Sequence, residues 1–73
     1  MDDLLTPLQR KALFKAAVTL HEITAAQAAR QFGVSYNHLV LVLSGERVGS
    51  LRLQGRVAAF IGRPREFLFP PAP

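Results

Sequence analysis

Seventy-three residues make one domain and leave no room for a second. Nine lysines and arginines against five acidic residues give a formal charge of +4, and an apolar content of 49% excludes a disordered basic tail. The absence of cysteine excludes a disulfide framework, a thiolate nucleophile and a cysteine-based zinc site.

The start of the chain, Met1-Asp2-Asp3, is acidic where a secretory signal is basic. The longest apolar run, Leu39 to Leu43, is far shorter than the roughly 20 residues a membrane helix needs. The expectation is a cytoplasmic protein with no membrane partner.

Thr6-Pro7 reads as an N-cap followed by proline at the first helical position, with Gln9 completing a capping box. Leu8, Ala12, Leu13, Ala16, Ala17 and Leu20 then recur at helical spacing. Gln9, Arg10, Lys11, Lys15 and Thr19 lie around them, and Lys11 and Lys15, four residues apart, read as the solvated face. Thr24 and Gln27 form a second capping box that opens a short alanine-rich helix, which Gly33 stops. Ser35 caps a third helix to about Ser44, stopped by Gly45.

Gly49-Ser50 opens a fourth helix with Leu51, Leu53, Val57, Ala58, Phe60 and Ile61 as its apolar side and Gly62 as its stop. Pro64 begins a last helical turn through Phe67 and Leu68. Leu39 to Leu43 has the propensity of a buried strand, yet nothing elsewhere could pair with it. The fold class is therefore all-α, with five short helices over residues 1–69 and a fraying proline-rich tail over residues 70–73.

Thr24 to Ser35 carries a helix-turn-helix signature. Ala29 is small where two helices must approach, Gly33 supplies the positive φ of the turn, and Val34 fills the space between the helices. Leu39 and Val42 face inward from the second helix of the pair, leaving its first residues to enter a major groove. Gly33-Val34-Ser35 is followed by Ser44-Gly45-Glu46-Arg47 after the third helix. Beyond lie Ser50-Leu51, Val57-Ala58, Gly62, Pro64 and Glu66-Phe67-Leu68-Phe69.

In this order and spacing the chain resembles the Cro/C1-type (phage repressor-like) helix-turn-helix domains, over roughly Pro7 to Phe69. In size it is most similar to the small Cro-like or Ner-like phage regulators. The resemblance implies a compact five-helix domain that binds double-stranded DNA as a homodimer and needs no cofactor.

By the pattern of that family, the outward positions of the third helix are Tyr36, Asn37, Val40, Leu41 and Ser44. Asn37 is suited to a bidentate pair with an adenine edge. Tyr36, Val40 and Leu41 join it as candidates for base readout, the apolar pair through thymine methyl groups. Thr24, Ser35, His38, Arg47, Ser50 and Arg52 are the candidates for the DNA backbone, Thr24 through the amides of a helix N-terminus. Phe67 and Phe69 lie in the final turn, which in this family often forms the dimer contact.

Two departures stand out. Ala25 occupies a position where many members carry a phosphate-binding glutamine. Val18 and Leu43 stand where many bury an arginine against a glutamate. If three or four of Arg47, Arg52, Arg56, Arg63 and Arg65 met phosphates, the log–log salt slope would be about −3 to −4 per protomer.

A second reading makes the apolar third helix a docking patch for a protein partner, as in an antirepressor or an inhibitor of a host protein. A third makes the terminal phenylalanines the glue of a larger assembly. His21 and His38 are far apart and read as solvent-facing, not as metal ligands. No nucleophile, base and acid are arranged for catalysis, so an enzyme is not expected, and a single domain offers no separate sensor for a small ligand. Phe14, Phe32, Phe60, Phe67 and Phe69 are expected in the core. Gly55 inside the fourth helix marks either close packing or plain tolerance.

Overall fold

The computed structural model describes residues 4–70. Asp2, Asp3 and residues 71–73 of the expected tail lie outside them. Four helices start on a side-chain cap. Helix α1 (Pro7–Leu20) begins at Thr6, whose hydroxyl accepts from the Gln9 amide while the Gln9 side chain accepts from the Thr6 amide. Helix α2 (Ala25–Phe32) repeats this box with Thr24 and Gln27. Ser35 and Ser50 cap α3 (Tyr36–Ser44) and α4 (Leu51–Ile61), and α5 (Arg65–Leu68) is a single turn after Pro64. Each cap satisfies an amide that the helix itself leaves unpaired, a contribution of about 1 kcal/mol.

Among the described residues there is no strand. Leu39 to Leu43 is helical, and no helix is long and apolar enough to cross a membrane. The radius of gyration is 11.2 Å, as expected for a chain of this length folded compactly.

Gly33 closes α2 in the left-handed region at φ 77°, where its lack of a Cβ avoids strain. The Val34 amide reaches back to the Ala29 carbonyl at 3.1 Å, the mark of a Schellman closure. Helix α1 closes in the same way without a glycine. Glu22 takes φ 57°, and the Ile23 amide donates to the Val18 carbonyl at 3.2 Å.

Helix α3 is the centre of the core. Its Leu39, Val42 and Leu43 are buried with Phe14 of α1, Ala28 and Ala29 of α2, Leu53, Val57 and Ala58 of α4, and Leu68 and Phe69. The two alanines leave room for the α2 backbone to approach α3. Phe32 and Phe60 are half-buried and continue the cluster: Phe60 lies 5.6 Å from both the Phe14 and the Phe32 ring. Phe67, expected in the core, is 41% exposed.

The inward stripe of α1 differs from the expected one. Leu8 and Leu20 are 78% and 82% exposed, and Ala12 and Ala16 are exposed too. The buried residues are Arg10, Phe14 and Ala17, with Leu13 and Val18 half-buried. Leu51 likewise faces outward from α4, where the buried residues are Leu53, Gln54, Val57 and Ala58.

Arg10 is only 4% exposed. Its Nε donates to the Leu43 carbonyl at 2.7 Å, its Nη1 donates to the Leu68 carbonyl, and its guanidinium sits 5.0 Å above the centre of the Phe69 ring. A buried arginine of α1 is thus present at Arg10, not at Val18, and its acceptors are main-chain carbonyls near the ends of α3 and α5. Burial lowers its pKa from the ordinary arginine value, so desolvation of the charge opposes folding. The two hydrogen bonds, the ring and the negative ends of two helices offset that cost.

A second buried polar group, Gln54, donates to the Gly49 carbonyl at 3.1 Å and accepts from Arg65 at 3.1 Å. Leu5 ties the start of the described chain to its end, its amide donating to the Phe67 carbonyl at 2.7 Å.

Two stability outcomes follow from this packing. Arg10→Met should cost about 2–4 kcal/mol in chemical denaturation, because it leaves two buried carbonyls without their donor. Gly55 meets nothing within 4 Å where a Cβ would stand, which favours tolerance over close packing. Gly55→Ala should therefore raise stability by up to about 1 kcal/mol.

Candidate functional site

The first turn of α3 presents its side chains because of how it is held. Ser35 receives the His38 amide at 3.1 Å, which fixes where the helix begins. Leu39, one turn on, is fully buried and anchors the opposite side. Tyr36 and Asn37 are left exposed between these two constraints, while His38 is half-buried.

Further along, Val40 and Leu41 are half-buried, so they offer edges and not full side chains. Ser44 turns back on its own helix: its hydroxyl is 2.9 Å from the Leu41 carbonyl and 3.1 Å from a Glu46 carboxylate oxygen.

The N-terminus of α2 differs in detail from the expectation. Both the amide and the hydroxyl oxygen of Thr24 are engaged by Gln27. The amides open to an outside acceptor are those of the first helical residues, Ala25 and Ala26. The hydroxyls of Thr24, Ser35 and Ser50 accept as caps and each retains one proton to donate.

Three clefts organise the remaining candidates. A cavity of about 310 Å³ brings Ser50, the α4 cap, and Arg52 of α4 together with Gly33 and Val34 of the α2–α3 turn, and Arg56 lines it as well. Arg56 is spent within the fold, its Nη1 donating to the Gln31 carbonyl at 3.2 Å and joining α4 to the end of α2. Arg65 is spent on Gln54 in the same way. Of the five arginines after α3, Arg47, Arg52 and Arg63 are exposed and make no such bond among the described residues.

The second cleft, about 370 Å³, brings Tyr36 and Val40 beside Lys11 and Lys15 of α1. By sequence these lysines belong to the solvated face of α1. They are indeed exposed, and folding also sets them next to α3. Their spacing of four residues was the available signal, although it could not reveal which helix they would face.

Arg63 and Phe67 line a third cleft of about 490 Å³ with Leu5, Gln9, Ala12 and Leu13. That cleft lies on the other flank of α1 from Lys11, Phe14 and Lys15. Of the two expected dimer contacts, only Phe67 offers surface. Phe69 is 3% exposed and packs beneath Arg10 within its own chain.

Among the described residues no three His, Asp or Glu side chains converge. His21 is exposed, but it stacks on Phe60 with ring centres 4.4 Å apart, and its Nε2 is 3.3 Å from the Phe60 carbonyl. Searches of protein-family models, curated proteins and solved structures found no match to this chain.

The α3 cap gives a direct check on this geometry. Ser35→Ala should cost about 1 kcal/mol and speed hydrogen exchange at the His38 amide, with little change at the Leu53 amide held by Ser50.

Proposed function

We propose that the chain is a small sequence-specific DNA-binding regulator of the Cro/C1 helix-turn-helix kind, acting as a homodimer that occupies a two-fold operator. The observation that carries this reading is the start of α3. Tyr36 and Asn37 are exposed on a helix capped by Ser35 and anchored by buried Leu39. An asparagine there can make two hydrogen bonds to one adenine edge in a major groove.

Tyr36 contributes a phosphate or thymine contact. Val40 and Leu41 contribute apolar edges toward thymine methyl groups. Arg47 and Arg52, the Ser35 and Ser50 hydroxyls, and the α2 amides beyond Thr24 hold the DNA backbone, with His38 at the margin. Lys11 and Lys15 add positive charge beside Tyr36, replacing Arg56 and Arg65 in the count of groups available to phosphates. Phe67 supplies the dimer contact from the opposite flank of α1, so pairing of two chains leaves α3 uncovered. No cofactor enters this mechanism.

A second reading, a protein-docking module, draws on the apolar character of Val40 and Leu41. One experiment separates the two: selection of bound duplexes from a random pool at near-physiological salt, with Asn37→Ala in parallel. The expected result is a palindromic motif. The substitution should weaken it at one adenine of each half-site by about 1–3 kcal/mol. Motif-free binding that disappears as salt rises would overturn the regulator reading and leave the docking module.

A further inference from the structure

The cleft between α1 and α3 has an unusual combination of walls. Its lining includes Phe14, Val18, Leu39, Val40 and Leu43, with Lys11 and Lys15 of α1 on the same wall. At about 370 Å³ it falls within the range of small-molecule sites. No acidic residue lines it, and neither lysine side chain has an ion-pair or hydrogen-bond partner among the described residues. The two lysines lie one helical turn apart, so both can approach a single anionic head group.

We propose that this cleft binds a single-chain amphipathic carboxylate, of the medium-chain fatty acid class. The alkyl chain lies along the half-buried Val18, Ala25 and Val40 and against the exposed Tyr36, above the buried Phe14, Leu39 and Leu43, and the carboxylate is held by Lys11 and Lys15. Charge complementarity selects an anionic head over a neutral or cationic one. The cavity volume suits one alkyl chain better than the several spaced anchors of a docked protein helix. Site formation depends on folding, because Lys11 and Leu43 are far apart in the chain and meet only when α1 packs on α3. Tyr36 and Val40 also belong to the proposed DNA-reading face. An occupied cleft would therefore compete with a duplex, a consequence that rests on the DNA reading, whereas the site itself does not.

Tyr36 is the only tyrosine and the chain has no tryptophan, so intrinsic fluorescence reports directly on this cleft. The experiment titrates sodium decanoate below its micelle concentration into the full chain at pH 7. Decan-1-ol serves as the neutral control, and a Lys11→Gln, Lys15→Gln double variant is checked for helicity by circular dichroism. The expected result is a saturable change in Tyr36 fluorescence. The affinity should fall about tenfold in the folded double variant, and decan-1-ol should bind more weakly than decanoate. No saturable change would overturn the proposal, as would equal affinity for decanoate and decan-1-ol or no loss in the double variant. None of these outcomes involves DNA, so failure of the site and failure of the DNA reading are told apart.

Discussion

The arrangement of this domain depends on one buried cation. Arg10 enters the core from α1 and spans the Leu43 and Leu68 carbonyls while lying over Phe69. Among the described residues it meets no carboxylate. The opposing charge is spread over main-chain oxygens at the ends of two helices, where carbonyls lack partners along the helix itself. The same contact sets the far end of α3 against α1, and Ser35 sets the near end. Between them they fix the direction in which Tyr36 and Asn37 point.

Much of the fold was legible in the sequence because its signals are local. Thr6, Thr24, Ser35 and Ser50 cap the helices they were expected to cap. Gly33 adopts the left-handed turn that its position implied. The inward face of α1 was not legible. Leu8 and Leu20 fit an apolar stripe by spacing, yet apolar residues are common on protein surfaces, so spacing alone did not decide. Nothing near Arg10 in sequence signals burial. Its acceptors lie 33 and 58 residues away and exist only once α3 and α5 have docked.

The candidate site divides along the same line. Exposure of Tyr36 and Asn37 follows from a cap and a buried leucine within five residues of one another, and sequence reading captured it. The nearness of Lys11 and Lys15 to α3, the internal use of Arg56 and Arg65, and the burial of Phe69 all arise from contacts between distant elements. A count of basic residues along the chain therefore overstates the arginines free to meet a partner and overlooks lysines from another helix. Positive charge beside α3 comes from α1 and from the start of α4.

The hydrogen bond from the Leu5 amide to the Phe67 carbonyl has an architectural consequence. Leu5 and Phe67 both line the cleft on the flank of α1 away from Tyr36. The bond joins segments from opposite ends of the sequence, closing the domain on itself as a clasp would. The surface around Phe67 is thus shaped by early and late residues together, so a change at Leu5 would alter that flank of α1 while leaving Tyr36 and Asn37 in place.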